Sequence, residues 1–230
     1  MSVETVKHTF NESVHVGNKE FRPNVEIMNG DMFTIAKILY RGGNKVCLHN
    51  FANNFKPGLY KKTYGGHIYF VTNTQEEQLL RASMDNNQLF LKDEYYPISV
   101  NNRNSALYSK NVKFNKNTKT GASIDVDNHY VADVITSAAI KNPKIVVNGA
   151  YMYETDRKDT LERLILTVFL AGECDILVTG LWGCGNFNNP VEEIFNLWKE
   201  AIEKASASPK RIIFVFPNDF DVRVVTNIML

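Results

Sequence analysis

Cysteine is scarce in this chain, its charges nearly cancel, and no long apolar run occurs. Each shortage removes a class of function. The three cysteines, Cys47, Cys174 and Cys184, are an odd set at spacings that fit no metal-ligand pattern. They suit a reducing compartment, so a cytoplasmic or nuclear location is expected. Lys and Arg number 26 against 25 Asp and Glu, for a formal net charge of +1. That balance indicates neither generic nucleic-acid binding nor a strongly basic partner. No stretch approaches the roughly 18 consecutive apolar residues of a membrane span. Residues 1–5 are polar and lack the apolar core of a signal peptide, so no membrane association is expected. No Gly-x-x-x-x-Gly-Lys-Ser/Thr appears, which argues against a P-loop nucleotidase. Internal repeats and low-complexity linkers are absent too.

What remains is an ordinary globular composition, 44% hydrophobic and 22% charged over 230 residues. That length fits one domain with a sizeable core. Residues 1–24 are polar and read as an edge strand or arm, which leaves 25–230 as the main domain. Residues 25–28 read as a short strand. Residues 33–40 have an imperfect helical face ended by Gly42-Gly43. Residues 45–53 form a mostly apolar strand whose polar residues fall at its C-terminal end. A lysine-rich loop follows over 54–64. Then come Gly65-Gly66, a strand-like run over 67–71, and a helix from Gln75 to about Met84. Strand signals are scattered over 88–128, as at 109–114.

The second half is plainer. Residues 130–139 read as a buried strand, and 156–172 have apolar residues at helical spacing. Residues 175–182 form a strand leading into Gly183-Cys184-Gly185-Asn186-Phe187. A helix comes next, with Asn189 placed to cap it and Pro190 in its first turn. Trp182 and Trp198 read as core. Residues 211–216 are a strand, and 224–229 a last short element. Alternating strands and amphipathic helices predict an α/β fold, with much of the sheet parallel and helices on both faces. Ligands of such folds sit beyond the C-terminal strand ends. Asn50 and Asn53, the Gly65 loop, the Gly183 loop and Phe216 all fall there.

The stretch Thr74-Gln75-Glu76-Glu77 has two readings. Thr74 and Glu77 fit a capping box, in which hydroxyl and carboxylate satisfy each other's backbone amides. Alternatively the paired acids are chemical groups. Neighbouring residues on a helix point about 100° apart, so the two carboxylates would do different work. One would handle a reacting group and the other grip a sugar hydroxyl or the backbone. An acid that protonates a leaving oxygen needs a raised pKa; burial and a neighbouring carboxylate supply it, while the helix N-terminus opposes it. The two glycine turns, each ahead of a helix, suggest a diphosphate held by backbone amides. Asn50 and Asn53 fit ribose contacts or simple turn chemistry. Phe216 fits base stacking or core packing. His49 and His67 are candidate acid–base groups, and Cys184 a candidate thiol with no evident base.

Taken together, His49-Asn50-Phe51-Ala52-Asn53, the glycine loop, Gln75-Glu76-Glu77, Trp182-Gly183-Cys184-Gly185-Asn186-Phe187 and Phe214-Val215-Phe216 resemble the poly(ADP-ribose) glycohydrolases. The likeness is greatest to the shorter microbial type and spans residues 25–220. It implies a macrodomain-like three-layer α/β/α fold with a mixed, largely parallel central sheet. It implies hydrolysis of ribose–ribose bonds in poly(ADP-ribose), with release of ADP-ribose and no cofactor or metal. By position, Glu77 would be the catalytic acid and then the base. Glu76 would hold ribose hydroxyls, beside Gln75. Asn53 and Asn50 would contact the distal ribose. Gly65, Gly66 and residues 183–187 would hold the diphosphate, and Phe216 would stack on adenine. The partners would be the polymer or ADP-ribosylated proteins, met by a monomer.

The sequence departs from the family where a triple glycine is usual. It has Gly65-Gly66-His67, with residues 58–64 inserted before it. His67 would crowd the diphosphate or replace an amide contact, and Lys61 and Lys62 would add attraction for phosphate. One other reading rests on that change, a binding module that recognises ADP-ribose without cleaving it. A third, separate reading is a hydrolase of another ADP-ribose derivative.

Overall fold

A computed structural model describes residues 3–58, 61–100 and 103–229. Met1 and Ser2 of the polar N-terminal stretch, and Leu59 and Tyr60 of the insertion, lie outside the described residues. The centre of the fold is a seven-stranded sheet. Its strands in chain order are β1 (Glu4–Thr9), β2 (Asn24–Asn29), β3 (Val46–Phe51), β6 (Ser105–Phe114), β7 (Tyr130–Ser137), β8 (Ile176–Thr179) and β9 (Arg211–Phe216). A separate hairpin pairs β4 (Lys61–Tyr64) with β5 (His67–Phe70). The order across the large sheet is β1-β6-β7-β3-β8-β9-β2. Strands β7, β3, β8, β9 and β2 run parallel, and β6 is antiparallel to both of its neighbours.

The parallel strands are apolar on both faces because helices cover both. Helices α4 (Glu154–Ala171), α5 (Val191–Lys204) and α6 (Asp219–Met229) lie on one side. Leu164, Phe195, Trp198 and Val225 fill that layer with Cys47, Ile212, Phe214 and Phe216 from the strands. Helices α2 (Met32–Arg41) and α3 (Gln75–Ser83) lie on the other side. There Phe33, Ala36, Leu79 and Leu80 meet Val46, Leu48, Ile213 and Val215. A short helical turn, α1 (Glu12–His15), follows β1.

Strand parity decides several side-chain fates. In β9, residues 212, 214 and 216 face α5. Phe216 is therefore fully buried, with its ring edge-on to Phe195 at 5.9 Å. Base stacking by Phe216 is not available in this arrangement. The helix after Gly183 also starts differently from the expectation. Pro190 is its N-cap and offers no side-chain bond. Asn189 instead accepts from the Tyr151 hydroxyl at 2.7 Å and donates to the carbonyls of Ile140 and Gly183. It pins the loop before α5 to the chain after β7 rather than capping the helix. Helix α6 begins at Asp219, earlier than the expected short element.

Candidate active site

A cavity of about 590 Å³ opens at the C-terminal ends of β3, β7 and β8. This is the size and place expected of a small-ligand site in a parallel sheet. Phe51, Ala52 and Asn53 line it from β3, and Thr74, Gln75, Glu76 and Glu77 from the start of α3. Ala139 and Lys141 line it after β7, and residues 181–183 and 185–187 after β8.

Gln75 explains how the acids reach the cavity. Its side-chain oxygen accepts from the Phe51 amide at 2.8 Å, and its nitrogen donates to the His49 carbonyl at 3.0 Å. A side chain thus stands in for a strand neighbour at the end of β3 and fixes the first turn of α3 there. With its polar atoms spent on β3, Gln75 positions the acids, a different task from the ligand contact expected of it.

The capping box is half formed. Thr74 Oγ1 accepts from the Glu77 amide at 3.3 Å, as a cap should. The Glu77 carboxylate does not return the bond to Thr74. Its Oε2 accepts instead from Thr72 Oγ1 at 2.6 Å. Its Oε1 is buried without a hydrogen-bond partner among the described residues. Arg81, one turn further along α3, donates to the Thr72 carbonyl and lies over the Phe70 ring, 5.2 Å from its centre. It thereby secures the segment that carries the Glu77 partner.

Glu76 is 4% exposed and Glu77 1%. Oε2 of Glu76 takes a long bond of 3.4 Å from the Asn53 amide, and Oε1 has no partner among the described residues. Burial pushes the Glu76 carboxyl up to about 8. The amides of Gly58 and Asn53 draw it partly back, and the Glu77 charge adds a smaller upward push. Glu76 is therefore protonated at neutral pH in the free protein. Two buried acids with unsatisfied oxygens on one cavity wall are costly to keep, and such groups cluster where chemistry is done.

The second wall is the turn after β8. Gly183 has φ +78°, and a Cβ there would sit 2.6 Å from the Ala139 Cβ and 3.0 Å from the Asn189 side chain. Only glycine fits that turn. The Cys184 amide is used within it, donating to the Leu181 carbonyl at 3.2 Å. The amides of Gly183, Gly185, Asn186 and Phe187 make no hydrogen bond among the described residues. They form an amide-lined seat for an anion. Cys184 itself does not line the cavity. Burial pushes its thiol up to about 12, so it is no nucleophile.

Several expected groups lie elsewhere. Gly65 and Gly66, with φ +57° and +78°, form the tight turn of the β4–β5 hairpin, since Tyr64 pairs with His67. That turn is a hairpin tip without a following helix, and it does not line the cavity. His67 is exposed and meets Asn87 at 2.7 Å. Asn50 is fully buried, with Nδ2 donating to Thr136 Oγ1 at 3.2 Å, and it too misses the cavity. His49 lies beneath the site between Thr179 and Ser137, and burial lowers its pKa to about 3. A permanently neutral imidazole in that place is a strut. Asn53 lines the cavity with its Nδ2 unused among the described residues, because only its Oδ1 is engaged, by the Phe55 amide at 2.8 Å.

Sequence reasoning passed over three contributors. Gly58 supplies an amide near Glu76, and its signal was the Pro57-Gly58 pair. Thr72 has no signal beyond its place just before the helix cap. Lys141 lines the cavity, is exposed and forms no ion pair among the described residues. A lysine just past a buried strand was the available cue.

The whole arrangement has relatives. Poly(ADP-ribose) glycohydrolase from Deinococcus radiodurans in complex with ADP-ribose superposes with a TM-score of 0.66 at 23% identity, over 92% of this chain and 86% of that one. The enzyme from Thermomonospora curvata gives 0.64 at 15% identity, over 97% and 85%. Its form bound to the inhibitor ADP-HPD gives 0.65 at 19%, over 89% and 78%. At these identities the likeness speaks for the fold. No match to a curated protein was found. The sequence itself matches the family described as microbial-type PARG, catalytic domain, over residues 2–120, which includes β1, β3, the hairpin and α3. That match spans more than half of the 230 residues, and the chain accordingly belongs to the microbial-type poly(ADP-ribose) glycohydrolase catalytic-domain family.

Proposed function

We propose that this chain cleaves the ribose–ribose bond of poly(ADP-ribose) with Glu77 as general acid and then general base. The observation that carries the reading is the broken capping box. An acid kept only to cap α3 would bond the Thr74 amide, whereas Glu77 turns to Thr72 and keeps Oε1 without a partner among the described residues. In the first step the Glu77 proton goes to the leaving ribose oxygen as the anomeric C–O bond breaks. In the second, Glu77 takes a proton from the water that attacks the anomeric carbon. The mechanism departs from the usual pair of opposed carboxylates in glycosidases. Glu76, neutral at physiological pH, donates a hydrogen bond to a ribose hydroxyl. The diphosphate lies on the free amides of residues 183 and 185–187, with Lys141 beside it. With Phe216 buried, the apolar surface left for adenine is Phe51, Leu181 and Phe187.

Glu77→Gln tests this directly. General acid–base groups contribute about 10²–10⁴-fold, so kcat on poly(ADP-ribose) should fall by at least about 100-fold while ADP-ribose affinity changes little. Full activity in the variant would remove Glu77 from the chemistry. A second reading has one observation in its favour: Glu76 is the carboxyl pushed up to about 8. If Glu76 were the proton donor, Glu76→Gln would cost as much as Glu77→Gln. If it only holds a hydroxyl, the neutral amide replaces a neutral acid and most of kcat survives.

A further inference from the structure

The hairpin β4–β5 is rooted in the catalytic wall at both ends. Gly58, before it, lies beside Glu76, and Thr72, after it, holds Glu77. Its two faces differ. Directly opposed residues of an antiparallel pair share a face. Phe70 and Ile68 turn inward and are half-buried, with Phe70 under the Arg81 guanidinium. On the other face Lys62 stands opposite Tyr69, and Tyr64 opposite His67. All four are exposed, Tyr64 at 81% and Tyr69 at 53%. Two residues along a strand is about 7 Å, so the two tyrosines are diagonal neighbours on one surface.

No packing reason holds two tyrosines there. The one formal charge on this face is the Lys62 cation. Between Asp31 and Glu76 the sequence has no acidic residue. The one hairpin ion pair among the described residues, Lys61 with Asp93 at 3.4 Å, belongs to Lys61, which is only 18% exposed. Lys62 has no ion pair among the described residues. Exposed aromatics interleaved with an uncompensated cation form a stacking platform for bases joined by phosphates.

Resting on the reading of the cavity given above, we propose that the outer face of the hairpin binds the adenine–diphosphate unit on the leaving side of the scissile bond. Tyr64 and Tyr69 stack on its adenine, and Lys62 meets its diphosphate. The ligand class is a continuous polymer of adenine rings and diphosphates, and the continuity of hairpin and acids through Gly58 and Thr72 lets one chain occupy both. The subsite gives this protein a preference for polymer over any substrate whose leaving group lacks adenine.

The test is the double variant Tyr64→Ala/Tyr69→Ala in the full chain, with Tyr64→Phe/Tyr69→Phe as its conservative partner. Two substrates are compared: long poly(ADP-ribose), and an aryl glycoside of ADP-ribose whose leaving group carries no adenine. Stacking on an aromatic is worth about 1–3 kcal/mol per base, so KM for polymer should rise about 10-fold or more in the alanine variant. kcat should hold, the aryl glycoside should be cleaved as before, and the phenylalanine variant should restore the polymer KM. An unchanged polymer KM, or an equal loss on both substrates, overturns the proposal.

Binding without turnover separates this proposal from the catalytic one. In a Glu77→Gln background, polymer should bind more tightly than ADP-ribose, and the two tyrosines should account for the difference. That result supports the subsite even if the wild-type chain cleaves nothing. Equal affinity for polymer and ADP-ribose overturns it even if the chain is an active glycohydrolase. Oligoadenylate RNA binding as tightly as polymer, with the same tyrosine dependence, overturns it in favour of a nucleic-acid surface.

Discussion

The two glycine turns look alike in sequence and differ in kind. Gly65-Gly66 and the turn opened by Gly183 each follow a strand-like run or precede a helical pattern, and each was a candidate seat for diphosphate. Gly183 is crowded: its missing Cβ is demanded by Ala139 and Asn189. Gly65 and Gly66 have nothing within 4 Å of where a Cβ would stand. Both sites use positive φ, so backbone conformation does not separate them. Crowding does. A glycine pressed between two segments lets them close a cavity, whereas a glycine at a hairpin tip only reverses the chain.

The largest expected effect sharpens that contrast. Gly183→Ala drives a methyl group into Ala139 and should open the wall that carries the free amides. ADP-ribose affinity, measured by calorimetry, should fall by at least about 10-fold, with stability lowered by about 2 kcal/mol or more. Gly65→Ala should cost about 1 kcal/mol for its left-handed backbone and leave ADP-ribose affinity unchanged. Equal losses of affinity would mean that the hairpin tip reaches the ligand after all.

The acids invite a similar comparison, since they are adjacent yet held differently. Glu76 has a folded pKa near 8 against an ordinary value of 4.5. The folded state therefore binds more protons than the unfolded one between these values, and stability falls as pH rises from 4.5 through 8. Below 4.5 both states are protonated and the group costs nothing. Glu76→Gln should thus stabilise the protein at pH 9, by about 3–5 kcal/mol if the whole shift is expressed. The gain should vanish near pH 4. Denaturant melts at the two pH values check it, and a gain that is independent of pH would contradict the buried-acid account.

The polar groups on the anion wall are unequal as well. Lys141 is a single exposed cation beside amides fixed by the fold. Lys141→Ala should weaken ADP-ribose binding by about 3–10-fold at low salt and by less at high salt, because an exposed charge is screened. A loss independent of salt would place the lysine in direct, desolvated contact with the diphosphate.

Where one residue type signals one outcome, the sequence could be read. The apolar runs of β3, β7 and β9 and the spacing of Leu161, Leu164, Ile165 and Val168 in α4 specify buried strands and a buried helix. Strand β6 was only partly visible because Asn111, at φ +58°, sits in a bulge that shifts the register between Ser109 and Val112. Strand β4 reads Lys-Lys-Thr-Tyr and has no apolar alternation to announce it. In the site, Thr74 and Glu77 satisfied two descriptions at once, and the decision fell to Thr72, whose hydroxyl has no sequence signature. For Phe216 the residues left base stacking and core packing both open, and only the family resemblance implied stacking. Parity decides for the core, because Phe216, two residues after Phe214 on a strand, shares the face that α5 covers.

The smallest expected effect bears on His67, where the family resemblance leads one to expect a third glycine. If Gly65-Gly66-His67 stood for the family's glycine loop, replacing His67 with glycine would restore it and raise activity. The imidazole is instead exposed at the end of a hairpin, against Asn87 and outside the cavity lining. His67→Gly should therefore leave ADP-ribose affinity and cleavage of the aryl glycoside within about twofold of the wild type, the scatter expected of surface changes. A marked gain would show that the hairpin folds over the diphosphate when substrate binds, and the distinction between a crowded turn and a free one would then hold only for the empty protein.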